Sequence, residues 1–251
     1  MKKTLFLVCL VIAILLSGAN LTVLAKADED KDNQMDKGPL TKITFIHYKK
    51  DKDPVKPNDA NKPPKAPGTT CYGYLAKGAK WKTTEPYLIN PVNNSGLSPN
   101  FVETAVTSGV AEWERYGGNI FGRGTLNSSA IFNDSETDGQ NVTVFGSYPD
   151  ARVIAITNIW GYFSGPVQTR QLLEWDMLFN TNFTWGDAKS NLLVMDLQNI
   201  ATHELGHSAG MNDLYMSTCT LETMYGYSTE GETIKRDLNP GDITGIKALY
   251  Q

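Results

Sequence analysis

Cysteine and histidine are both scarce, with three of each in 251 residues. So few cysteines exclude a disulfide-built scaffold. Positive charge is not in excess either: 23 Lys and Arg stand against 27 Asp and Glu, a net charge of −4. A nucleic-acid partner therefore has no electrostatic footprint. The one long apolar run, Leu5 to Leu16, falls short of the roughly 20 residues of a comfortable membrane span. What remains is 41% apolar and 20% charged, which suits one soluble globular domain or at most two small ones. Collagen-like, coiled-coil and wholly disordered classes are excluded on the same grounds.

The Leu5–Leu16 run follows Lys2 and Lys3 and precedes small and polar residues, with Val23-Leu24-Ala25 as a cleavage site before Lys26. This predicts a secretory signal over residues 1–25, with an uncleaved anchor as the lesser alternative. Its removal leaves 21 basic and 27 acidic residues, a net charge of −6. Cys9 leaves with it, and in an exported chain the remaining pair, Cys71 and Cys219, is most simply a disulfide. A rival role for Cys71 is an inhibitory thiolate. Sequons occur at Asn93, Asn127, Asn133, Asn141 and Asn182.

Residues 26–66 are dominated by Lys, Asp and Pro (KADEDKDNQMDK, KKDKDPVKPNDANKPPKAP). Such a stretch buries too little apolar surface to offset its chain entropy, so it is expected to be a solvated spacer or, less simply, a propeptide. Its apolar island, Ile43 to Tyr48, alternates weakly and suits a single added strand. Residues 67–251 are expected to form one domain. A short strand is predicted at 86–90, then a helix from Ser98 (N-cap) and Pro99 to Gly117-Gly118. Residues 119–139 suit mainly loop, and strands follow at 141–145, 153–160 and 174–179. A second helix runs from Asp196 to Ser208, and Asn239-Pro240 opens a last one. That order is an α+β or three-layer α/β pattern.

The second helix carries His203-Glu204-Leu205-Gly206-His207. Positions four apart share a helical face, so His203 and His207 can aim ring nitrogens at one metal ion. Glu204 lies beside them. Zinc lowers the pKa of a coordinated water toward about 7, and a carboxylate can then take its proton during attack on a carbonyl. The bare five-residue pattern also occurs in helices that bind nothing. Gly210 then suits a sharp turn, and Asp213 comes three residues later, spaced to bring a third ligand. The remaining histidine, His47, belongs to the charged N-terminal stretch and would need a long-range return.

Residues 203–213 (HELGHSAGMND) resemble the extended motif of the metzincin metallopeptidases, HExxHxxGxx followed by His or Asp, with Asp in the last place as in snapalysin-like members. The chain beyond is similar to the matrixins: Met224-Tyr225 resembles their Met-turn, residues 238–250 their closing helix, and residues 174–180 the strand before the active-site helix. The resemblance spans about residues 70–251. It implies a zincin-like α+β fold: a twisted five-stranded sheet, four strands parallel and an antiparallel edge strand, with an active-site helix and a C-terminal helix. It also implies one catalytic zinc per chain on His203, His207 and Asp213, Glu204 as general base and acid, and Met224 as the floor beneath the metal.

The implied activity is zinc-dependent endopeptidase action outside the cell, on an extended peptide or protein substrate lying along strand 153–160 by β-augmentation. Neither a nucleic acid nor, once the signal is cleaved, a membrane is expected as partner. Several features depart from the matrixin pattern. Asp213 replaces their third histidine, too few histidines remain for a matrixin-type structural zinc, and the cysteine-switch sequence is absent around Cys71. Calcium is possible, but no loop of suitable spacing supports it. Two alternatives stand. One is a secreted zinc- or peptide-binding module without catalysis, which would not need an acid at 204. The other is a thermolysin-like site taking a distant glutamate, with Glu222, Glu230 or Glu232 as candidates.

Overall fold

The computed structural model describes residues 36–50 and 71–251. The expected signal segment and the remainder of the 26–66 stretch lie outside the described residues. The elements run β1 (Leu40–Lys49), β2 (Tyr87–Ile89), α1 (Pro99–Gly117), β3 (Gly124–Leu126), β4 (Asn141–Gly146) and β5 (Val153–Tyr162). They continue with β6 (Gln171–Asn180), β7 (Trp185–Gly186), β8 (Met195–Asp196), α2 (Leu197–Ser208), β9 (Tyr227–Ser228) and α3 (Pro240–Tyr250). β1 belongs to the same compact unit as the rest of the described chain.

Each helix starts where its cap dictates. Ser98 Oγ accepts from Phe101 N at 3.2 Å, with Pro99 at the first helical position. Asp196 accepts from Asn199 N at 2.8 Å to open α2, and its carboxylate also takes the Arg236 guanidinium. Asp242 reaches back to Asn239 N at 3.1 Å to open α3. Along α1 the residues at helical spacing, Val102, Ala105, Val106, Val110 and Trp113, are those that bury.

The main sheet has the order β3-β2-β4-β6-β5-β1-β9. β3, β2, β4 and β6 are mutually parallel, and β5 runs antiparallel to β6. These five are the expected mixed sheet of a zincin-like α+β fold. Two further strands extend it. β1 pairs antiparallel with β5 over nine positions, from Leu40↔Tyr162 to Tyr48↔Val153, and β9 pairs parallel with the end of β1. Side chains alternate across the sheet as the strand period requires. Val142, Val144 and Leu178 pack with Ala130 on one face. Met177 and Phe179 face the other, within the core that holds Trp113, Ile200 and Leu205 of the helices.

The Cys71–Cys219 disulfide is present, with an S–S distance of 2.08 Å across 148 residues of sequence. It ties the start of the domain to the loop before Met224. One sequon is closed by the fold: Asn141 is buried, donating to Pro86 O and accepting from Trp175 N.

Candidate metal centre

α2 is buried almost all round, and His203, Glu204 and His207 are all within 1% of full burial. The chain beyond the C-terminus of α2 sets the orientations of the two histidine rings. Gly210 takes φ +102°, a left-handed value that L side chains rarely adopt, and turns the chain back beneath α2. The turn brings Met211 O to 3.1 Å from His207 Nδ1, and the later Thr223 O lies 2.7 Å from His203 Nδ1. A carbonyl can only accept, so each Nδ1 carries the proton and each Nε2 keeps a free lone pair.

The same turn delivers Asp213. Its Oδ1 lies 3.2 Å from His203 Nε2 and 3.4 Å from His207 Nε2. Two ligand atoms of a tetrahedral zinc with bonds of about 2.0–2.1 Å stand about 3.4 Å apart, so these spacings fit one ion. His203 Nε2 and Asp213 Oδ1 are buried and have no hydrogen bond of proper geometry, which an ion between them would remedy. Asp213 Oδ2 is held by the Tyr215 hydroxyl at 3.0 Å. Burial pulls His203 down to about 4, which keeps it neutral and able to ligate. Burial lowers His207 too, but the Asp213 carboxylate outweighs it and the net shift is upward. Burial raises Asp213, yet the two histidines outweigh that and hold it well below the usual carboxylate range.

Met224 is fully buried, and its sulfur lies against Gly206, where any Cβ would overlap it. Asp242 holds this turn from the side, accepting from Thr223 N and from Met224 N at 2.6 and 3.2 Å. Glu204 has a partner at each carboxylate oxygen. Thr157 Oγ1 donates to its Oε2 at 2.6 Å, and His47 Nδ1 lies 3.0 Å from its Oε1. Burial raises the Glu204 carboxyl above its ordinary value, opposed by the neighbouring histidines.

A second set of donors, His47, His203 and Glu204, also closes within 4.8 Å. It shares His203 with the first, but both Glu204 oxygens are already engaged. The set His203, His207 and Asp213 therefore fits an ion better. Among the described residues, no other three His, Cys, Asp or Glu donors approach so closely.

Two expectations need correction. His47 makes the long-range return that had counted against it: β1 carries it to Glu204 across 157 residues of sequence. The distant-glutamate alternative fails on geometry, because each candidate is engaged elsewhere. Glu222 accepts from Gly241 N and Asp242 N, Glu230 pairs with Lys49, and Glu232 pairs with Lys235. Sequence reasoning missed Thr157 entirely. A lone threonine in a buried strand carries no signal of its own. The Thr223 and Met211 carbonyls were equally out of reach, since every residue has a carbonyl.

Residues 161–251 match the family model described as Matrixin. The chain is also similar to Karilysin of Tannerella forsythia, at 27% identity over 186 residues, which is 73% of this chain and 36% of that protein. The chain thus spans about a third of the length of the curated relative it matches. In its fold and in the sequence of its C-terminal part, the chain is matrixin-like.

Proposed function

We propose that this chain is an exported zinc-dependent endopeptidase. The observation that carries the reading is the closure of His203 Nε2, His207 Nε2 and Asp213 Oδ1 at the spacing of zinc ligands, with Glu204 alongside. Zinc held by those three side chains supplies Lewis acidity, polarising a carbonyl and making water a nucleophile near neutral pH.

This chain's own residues do the rest. Thr223 O and Met211 O fix the histidine tautomers through Nδ1, and Met224 packs beneath. Glu204 accepts the proton of the attacking water on a carboxylate oxygen and delivers it to the leaving amine. Thr157 holds the other oxygen and so aims the carboxylate. β5 offers backbone groups to an extended peptide, which adds to the sheet as a strand. Glu204 separates this reading from a zinc-binding module without catalysis, since only proton transfer needs an acid there.

Export is supported by the pattern of residues 1–25 and by the Cys71–Cys219 disulfide. No helix of the described residues is long and apolar enough to cross a membrane.

The test is zinc content after gel filtration, paired with cleavage of an unbiased peptide mixture. One zinc per chain is expected, with new peptide termini that vanish under a chelator and return with zinc. Protein that retains no zinc would overturn the reading. Zinc retained in every form without any cleavage would favour the non-catalytic module.

A further inference from the structure

The peptide site along β5 is already filled. β1 lies along β5 in the antiparallel sense, residue against residue from Leu40 to Tyr48, where an added peptide strand would run. Two of its side chains, Phe45 and His47, are buried against the catalytic helix. The Phe45 ring stacks on His207 with centroids 3.8 Å apart and planes 8° from parallel. His47 tilts against His203 at 4.0 Å and sets Nδ1 against Glu204 Oε1. Phe45 and His47 are 3% and 1% exposed, and beneath them Glu204 is fully covered. Thr157 holds Oε2 and His47 lies against Oε1, so both oxygens of the base already have a partner while β1 is in place.

We infer that residues 40–49 are a built-in occupant of the substrate cleft, which keeps the chain latent until the strand is displaced. The inference rests on the peptidase reading and adds its regulation. Three anchors outside the site hold the strap. Lys42 Nζ pairs with Asp134 at 2.9 Å, Lys49 Nζ pairs with Glu230 at 2.7 Å, and Lys50 N donates to Ser228 O at 2.7 Å. The device differs from a thiolate plug, because Cys71 is committed to its disulfide. It works instead by strand pairing and by engaging the general base.

The experiment uses the full chain and two variants, His47→Ala and the double substitution Phe45→Asp with His47→Ala, all loaded with zinc. Melting curves confirm that each variant is folded. Occupancy is read directly with a fluorescein-labelled peptide of the sequence of residues 40–50, by anisotropy. A strap closed in about nine molecules of ten lowers apparent affinity and rate by about tenfold. The double variant should therefore cleave a quenched peptide at least about tenfold faster than the parent, with His47→Ala in between. It should bind the labelled peptide saturably where the parent does not, and added peptide should restore inhibition.

Folded variants that are no faster than the parent would overturn the inference, making β1 a working part of the site. Equal binding of the labelled peptide by parent and double variant would overturn it too. If no form cleaves yet only the double variant binds the peptide, occupancy stands and the peptidase reading falls.

Discussion

Gly206, between His203 and His207, is a sharp place to perturb the proposed metal site without touching a proposed ligand. A methyl group there would overlap Met224 Sδ on one side and Trp113 Cζ2 on the other. Both neighbours are fully buried, so neither can step aside into solvent. Overpacking of a well-filled core costs about 1–3 kcal/mol, which sets the expected loss for Gly206→Ala. Met224→Ala alone removes a buried side chain and should cost about 2–5 kcal/mol. Combined, the new methyl enters the space the thioether has left, so the two costs should not add. The Trp113 contact persists, which makes the rescue partial. A coupling of about 1–2 kcal/mol is expected from a double-mutant cycle in urea. Gly206→Ala should also weaken zinc binding by about tenfold, because shifting Met224 drags the Thr223 carbonyl that orients His203. Strict additivity, or Gly206→Ala with parental stability and zinc affinity, would refute this packing argument.

Three further expectations rest on single contacts. Replacing both Cys71 and Cys219 by serine reopens a loop of 148 residues and should cost about 5 kcal/mol on the chain-entropy model, read as a lowered denaturation midpoint; a loss under about 1 kcal/mol would contradict it. Thr157→Val removes the hydroxyl that donates to Glu204; a bond to a charged group is worth about 1.5–3 kcal/mol, so the peptidase rate should fall roughly ten- to hundredfold at unchanged zinc content. Burial raises Asp176 to about 7, although Asn133 N donates to it at 2.7 Å. Its folded value therefore exceeds its unfolded one, and stability present near pH 4 is lost as pH rises through 7. Asp176→Asn should then be more stable than the parent at pH 8 by up to about 4 kcal/mol in denaturant unfolding, with the gap shrinking toward pH 4; a gap independent of pH would contradict the assignment.

The parts of this fold that sequence reveals are those decided within a few residues. Ser98, Asp196 and Asn239 mark their helices because a cap acts on the turn beside it. His203 and His207 are legible because helical period sets residues four apart on one face, with Glu204 beside them, and Asp213 because it comes three residues after a glycine free to make the turn. The region 119–139, expected as mainly loop, holds the three-residue β3, too short for any pattern to announce. The role of β1 was hidden for another reason. The alternation in residues 43–48 suggests a strand, but nothing local says which edge it joins. That choice is made by β5, more than a hundred residues away, and by the rings of α2.

The central claim is that His203, His207 and Asp213 hold a zinc while Glu204 moves the proton. The most direct measurement introduces Glu204→Gln and Asp213→Ala separately beside the β1 substitutions, and reads zinc stoichiometry and peptide cleavage on the same samples. Glu204→Gln should keep one zinc and lose about 10²–10⁴-fold in rate, because an amide cannot shuttle a proton. Asp213→Ala should lose the zinc itself, since two histidines do not complete the site. Full activity in Glu204→Gln, or unchanged zinc affinity in Asp213→Ala, would contradict the account.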